Sequence, residues 1–374
     1  MCIRHLTSIF ALLLLVWLPG AALPAAGQTS GESQFTSGQQ IYEAACVACH
    51  ARDGRGQPQT TVGFELPLPD FSDCNFASRE PAPDWGAIVH EGGPARGFSE
   101  IMPAFGDALS SDEIQMVVEY VRGFCRETAW PRGDLNLPRA LVTEKAFPED
   151  EAVLTTTVDA EGSGAVSNQL VYEKRFGARN QIEVAVPFRF QKPEAGSWNG
   201  GIGDVALGFK RTLFHSMGSG SIFSVAGEAV LPTGNKARDL GKGVTIFEPF
   251  AAFGQILPRD SFLQFQSGIE LPTHSDEASK EVFWRAAAGK SISQGSFGRT
   301  WTPMVELLGA RELEDGAEAD WDLVPEMQVT LSTRQHIMFN FGVRIPMNHR
   351  GPRATQVLFY FLWDWFDGGL RDGW

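Results

Sequence analysis

Cys46-Val47-Ala48-Cys49-His50 is the stretch on which the reading of this 374-residue chain turns. Two thiols three residues apart share one helical turn, so both can add to the vinyl groups of one porphyrin. The histidine that follows directly then stands where it can ligate the iron. C-x-x-C-H is the attachment spacing of a c-type haem. Two plainer chemistries compete with it. A redox dithiol belongs in a βαβ setting that the flanking residues lack, and a zinc site needs a second Cys/His pair at ligand spacing, which the sequence does not supply. One covalently held haem c is therefore expected on Cys46 and Cys49, with His50 as proximal iron ligand.

Outward from the motif the punctuation is helical. Gly38 to Cys46 reads as a helix with Ile41 and Ala45 on one side. Ser110 and Glu113 have capping-box spacing, Ile114, Val117, Val118 and Val121 follow as an apolar stripe, and Gly123 suits the helix end. Between them Met102-Pro103 sits in a loop made pliable by Gly92, Gly93, Gly97 and Gly106, and such a loop can hold a thioether over the far face of a haem. Residues 38 to 124 resemble a class I cytochrome c. The likeness rests on Gly38 through Tyr42, the C-x-x-C-H motif, Asp53-Gly54-x-Gly56, the Met102-Pro103 loop and the closing helix. It implies a small all-α cytochrome domain over about residues 35–126, with Met102 as the distal iron ligand. His/Met ligation raises the potential relative to bis-His ligation. Met116 falls on the closing helix and reads as core. His90, beside Glu91, would give bis-His ligation, and an unfilled distal position would let small molecules reach the iron.

The first residues read as an export signal. Arg4 and His5 precede an apolar run from Leu6 to Leu18 that is short for a bilayer span, and small residues follow, so residues 1–27 are expected to be removed, Cys2 with them. Covalent haem attachment outside the cytoplasm agrees with that. Cys74 and Cys125 then remain as an even pair in an oxidising compartment, where a disulfide between them would stabilise the fold by about 4 kcal/mol. The net charge of −14 excludes a nucleic-acid partner, which calls for a basic face.

Composition changes near residue 150. Residues 127–150 carry Pro131, Pro138 and Pro148 and read as a semi-extended linker. From 151 to 374 alternating stretches recur. Ile182, Val184, Val186 and Phe188 alternate with Glu183 and Ala185; Phe339, Phe341 and Val343 with Asn340 and Arg344; Phe359, Phe361 and Trp363 with Tyr360 and Asp364. About twelve such segments are separated by connections that alternate between short (Gly177 to Asn180, Pro258 to Asp260) and long (Pro232 to Gly243, Arg311 to Asp320). That rhythm and an even count are the pattern of an antiparallel transmembrane β-barrel of the outer membrane. Twelve strands place both ends of the barrel on the short-turn side, the periplasm, where the haem chemistry also requires the N-terminal half. Trp284, Trp301, Trp363, Trp365 and Phe366 lie near strand ends as interface aromatics would, and the chain closes on Trp374. The competing fold is a soluble β-sandwich with an apolar core. Asp204, Glu228, Glu270 and Glu326, like Glu91 in the first half, stand as isolated carboxylates, solvated or lumen-facing, without an acid/base pair.

Residues 151 to 366 resemble, more loosely, the outer-membrane barrels associated with the meta-pathway of phenol degradation, through Gly201-x-Gly203-Asp204-x-x-Leu207-Gly208-Phe209-Lys210 and Leu231-Pro232-Thr233-Gly234. A domain of about 90 residues is about 30 Å across, wider than the roughly 24 Å backbone diameter of a twelve-stranded barrel, so the cytochrome must sit below the periplasmic mouth. One haem there cannot bridge an apolar band of about 25 Å. The expected activity is one-electron transfer with a periplasmic redox protein, from a cytochrome tethered in outer-membrane lipid and without substrate chemistry of its own. An outer-membrane channel for small molecules, aromatic ones among them, with an accessory cytochrome, and a haem-based enzyme or sensor subunit, are the alternatives.

Overall fold

The closing helix of the first domain, Ser111–Arg122, is capped as its sequence demands: the Ser110 hydroxyl accepts from the Glu113 N–H while the Glu113 carboxylate accepts from the Ser110 N–H. Its stripe of Ile114, Val117, Val118 and Val121 is buried. The first helix crosses it at Gly38, where a β-carbon would lie 2.9 Å from Tyr120 Cβ and collide with the Met116 carbonyl, so only glycine allows the approach. Tyr42 is then wedged between Tyr120 and Phe124, at ring centroid distances of 5.4 and 5.3 Å. A middle helix, Ala82–Glu91, completes the core, and a disulfide joins Cys74 to Cys125. The computed structural model describes residues 35–161, 165–191, 198–349 and 353–364. The expected export signal and the terminal aromatics Trp365, Phe366 and Trp374 lie outside the described residues.

From Asp150 onward twelve long antiparallel strands follow, each hydrogen-bonded to its neighbours in chain order. The sheet is closed. The first strand, Asp150–Asp159, pairs with the twelfth, Gln356–Asp364, and the eighth, Glu281–Lys290, with the ninth, Thr300–Glu312. Two short strands, Asn199–Ile202 and Ile292–Ser293, extend the ladder locally. The protein is thus a small helical domain followed by a closed twelve-stranded barrel.

Which face of the sheet is apolar decides between barrel and sandwich. Along the seventh strand, Ser261–Pro272, Gln264 and Gln266 are each 1 % exposed, whereas Leu263 is 38 % and Phe265 43 % exposed. Ile182, Leu207, Val305 and Phe341 face outward in the same way, while Glu173, Glu306 and Asn340 are buried inside. This polar-inside, apolar-outside order is the reverse of a soluble sandwich and is the pattern of a barrel bathed in lipid.

The segment expected to be a semi-extended linker is folded into the lumen. Leu135, Leu137, Ala140, Leu141, Ala146 and Phe147 are all buried. The segment runs from the short-turn rim to Asp150, with Val142 and Thr143 bound by Glu306 and Glu144 by Gln266 on the way. It has no ladder of its own beyond a short turn at Gly133–Leu135, so its backbone must be satisfied by the wall. Glu306 accepts from the N–H groups of Val142 and Thr143 at 3.0 and 2.6 Å, and Glu326 from that of Leu141 at 3.0 Å. Gln264 donates to the Pro138 carbonyl, Tyr360 to that of Arg139 and Lys210 to that of Lys145. Two wall glycines make room for the leucines: a β-carbon at Gly254 would stand 3.0 Å from Leu137 Cδ1, and one at Gly342 would meet Leu141 Cδ1.

The helical domain rests on the short-turn rim, and the two form one compact unit. Arg96 donates to the Phe297 carbonyl at 2.9 Å, Arg334 donates to that of Gly97 and lies 4.4 Å over the Phe98 ring, and His336 stands between Glu80 at 3.1 Å and Asp364 at 3.2 Å.

Candidate functional site

Cys46, Cys49 and His50 share one turn at the end of the first helix. Residues Tyr42–Cys46 make a π-helical turn between two short α-helical ones, and the helix stops at Ala51, whose φ of 59° no longer permits the ladder to continue. Several groups hold that turn by its carbonyls. The buried Tyr42 hydroxyl donates to Ala51 O at 2.8 Å and His50 O at 3.2 Å, Gly56 N–H to His50 O at 3.1 Å, and Gln57 N–H to Cys49 O at 2.7 Å. Phe71 stacks on the His50 ring at 4.9 Å, and Trp85 lies 5.5 Å from Phe71.

These surroundings set the chemistry of the three side chains. Burial, with Cys49 adding to it, pushes the Cys46 thiol up to about 11. Burial pushes the His50 imidazolium down, so the ring is neutral at ordinary pH and has a lone pair to give a metal. Its Nδ1 is buried without a hydrogen-bond partner. Cys46 and Cys49 remain thiols rather than a disulfide. Two reduced sulfurs, a neutral imidazole and aromatic walls are what a covalently attached haem requires, so the residues fit the group.

The loop that carries Met102 is held by backbone hydrogen bonds. Gly93 N–H donates to Met102 O at 3.0 Å, Phe105 N–H to Val89 O at 2.9 Å, and Gly106 N–H to His90 O at 2.9 Å. Gly92, at φ +84°, and Gly93 sit where a side chain would collide with the Met102 loop, which accounts for the glycine pair. Val89 and Phe105 pack in the cluster that also holds Cys46 and Val47. The two competitors are engaged elsewhere. His90 Nδ1 is 2.8 Å from Glu91 and its ring is 5.1 Å from Phe297, while Met116 packs in the closing helix against Gly38.

The residues missed by the sequence reading are those of the lumen. Arg139 lies 2.7 Å from Glu151, 3.1 Å from Glu173 and 3.1 Å from Glu144, and Lys145 pairs with Glu149 and Glu151. Neither Glu326 nor Asp204 stands isolated: Glu326 accepts from the Leu141 N–H and the Asn340 amide, and Asp204 from the N–H groups of Gly234 and Lys242. Buried leucines beside unlike charges in a proline-bounded joint were the available signal.

With this geometry in view, residues 33–121 match the family model described as "Cytochrome C oxidase, cbb3-type, subunit III". The first domain is a cytochrome c domain, here joined to a barrel. No curated protein matches. Among solved structures the chain is similar to the NanC porin (8 % identity, TM-score 0.42, covering 57 % of this chain and 99 % of that one). It is also similar to the KdgM porin (7 %, 0.38, 57 % and 99 %) and to LpxR from Salmonella typhimurium (6 %, 0.37, 57 % and 100 %).

Proposed function

We propose that this protein is a monohaem c-type cytochrome fixed to the outer membrane by its own barrel, passing single electrons on the periplasmic side. Haem, when bound, supplies a one-electron iron couple. The chain's residues do the rest: Cys46 and Cys49 would hold the group, His50 and Met102 would ligate the iron, and Phe71 and Trp85 would keep water from His50.

The observation that carries this reading over a solute channel is the filled lumen. Residues 135–149 occupy the barrel, with wall side chains spent on satisfying their backbone, so a conducting path needs that segment to leave. An enzyme or sensor needs a free iron position, and the Met102 loop is instead tied down by three backbone hydrogen bonds. The apolar outer face supports insertion in a bilayer. Docking at the short-turn rim supports a periplasmic haem, since short turns face the periplasm in such barrels. Over residues 35–126 there are thirteen acidic residues against six arginines and no lysine, so the redox partner is a basic periplasmic protein drawn by that field.

Fractionated membranes test this. Reduced-minus-oxidised spectra should place the haem c signal in the outer-membrane fraction. Pigment recovered in the soluble periplasm would overturn the tethered carrier.

A further inference from the structure

Residues 93–102 form one hydrogen-bonded piece that ends on Met102. Gly93 N–H donates to Met102 O at 3.0 Å, Phe98 N–H to Gly93 O at 2.9 Å and Met102 N–H to Ser99 O at 3.2 Å. The piece is thinly packed: Phe98 is 40 % and Ile101 44 % exposed, and Gly97 turns the chain at φ +69°. Segments with few buried apolar contacts open easily.

Support comes from the barrel. In its turn 294–299 the Phe297 carbonyl accepts from Arg96 Nη1 at 2.9 Å, while Arg96 Nε is bound at 2.6 Å by Asp84 of the middle helix. A second turn joins the tenth strand, Asp320–Thr330, to the eleventh, Ile337–Pro346. It brings Arg334, whose guanidinium donates to the Gly97 carbonyl at 3.3 Å and lies 4.4 Å over the Phe98 ring. Gln335 beside it donates to the Gly298 carbonyl at 3.1 Å, which makes the two turns one surface. On the His50 side the arrangement differs. The groups that hold that turn, Tyr42, Gly56, Gln57 and Phe71, all belong to the helical domain.

A thioether is a weak acceptor, and a ligand of that kind needs its presenting loop held in place. Taking Met102 as the distal ligand proposed above, we infer that Arg334 of the barrel is its positioning residue. By holding Gly97 and Phe98 it seats the distal loop, so the docked barrel sets the ligation and the potential of the haem. The coupling is reciprocal: a change of ligand at the iron must in turn bias the barrel contact.

The test compares full-length, haem-loaded protein in detergent with Arg334→Ala. The oxidised wild type should show the red absorption that methionine sulfur gives ferric haem, and the reduced form negligible carbon monoxide binding. In Arg334→Ala the band should weaken, carbon monoxide should bind about tenfold faster and the potential should fall, as loss of a cation–π contact and a hydrogen bond implies. Amide exchange over residues 93–102 should rise about tenfold, with exchange over residues 46–57 unchanged. Arg334→Gln, which keeps a donor for Gly97 but no cation over Phe98, should change in the same direction by less. Haem content and melting temperature confirm that each variant is folded. Unchanged band, gas binding and potential in both variants would overturn the inference and leave Met102 as ligand. Equal acceleration of exchange over residues 46–57 would also overturn it, because the whole domain has then loosened. A wild type without the sulfur band would instead remove Met102 from the iron, and the role of Arg334 with it.

Discussion

Arg139 Nη1 donates to Glu151 Oε1 at 2.7 Å, tying the middle of the lumen segment to the base of the first strand. The same nitrogen reaches Glu173 on the second strand, so one guanidinium joins the segment to two adjacent strands. All three side chains are buried. Removing one partner from such a group leaves uncompensated charge in a place water does not reach. Arg139→Ala should therefore destabilise the protein by about 3–5 kcal/mol, measured by denaturant unfolding in detergent. A change below about 1 kcal/mol would mean that the segment is held by its backbone contacts alone.

A second expectation follows for conductance. The wild-type barrel, reconstituted in a planar bilayer, should be electrically silent, because the segment from Leu135 to Glu149 fills it. Replacing residues 136–147 by a Gly/Ser run removes Leu137, Arg139 and Leu141 together and should give stepwise currents. Steady open-pore currents from the wild type would show that the segment leaves the lumen in a membrane.

His336 joins the two domains. It lies between Glu80 of the cytochrome domain and Asp364 of the twelfth strand, and is only 4 % exposed. In His336→Ala both carboxylates lose this contact, and the buried Arg79–Asp150 ion pair with the rim contacts of Arg96 and Arg334 must hold the cytochrome. Amide exchange in residues 79–82 and 331–336 should rise about tenfold, with exchange at the Gly38–Tyr120 helix crossing unchanged. Equal acceleration at that crossing would mean that the substitution unfolds the domain rather than releasing it.

Much of this architecture was legible because local chemistry dictates it. The C-x-x-C-H turn needs only five consecutive residues, the Ser110–Glu113 cap needs four, and strand alternation is a period-two signal that survives in each strand separately. The lumen segment was illegible for the opposite reason. Its proline-interrupted mixture of Leu137, Arg139, Leu141 and Lys145 has neither helical nor strand period. The groups that make sense of it, Glu306, Glu326 and Tyr360, stand more than 160 residues away in sequence. Wall carboxylates such as Glu326 look solvated in the sequence because nothing local indicates that a backbone N–H will be brought to them. The Glu80–His336 contact is invisible for the same reason.

Ligation at the iron gives a further test. With Met102 in the distal position, the reduced wild-type protein should be low-spin and bind carbon monoxide negligibly. Met102→Ala should open the position and admit the gas, while His90→Ala, whose ring is engaged with Glu91 and Phe297, should leave the spectrum unchanged. Carbon monoxide binding by the wild type at the rate of Met102→Ala would remove Met102 from the ligand set and favour the sensor reading.

The Cys74–Cys125 bridge carries the last expectation. It closes a separation of 51 residues that contains the middle helix, the Met102 loop and the closing helix. In the chain-entropy view, a loop of that length loses enough denatured-state freedom to stabilise the domain by about 4 kcal/mol. The Cys74→Ala/Cys125→Ala double variant should retain haem, whose proposed attachment at Cys46 and Cys49 is untouched, yet unfold its cytochrome domain at markedly lower denaturant while the barrel midpoint stays in place. Haem absorbance follows the first transition and far-ultraviolet dichroism of the strands the second. Coincident shifts of both would show that the docked domains unfold as one cooperative unit, in which case the rim contacts of Arg96, Arg334 and His336 contribute more to stability than the bridge does.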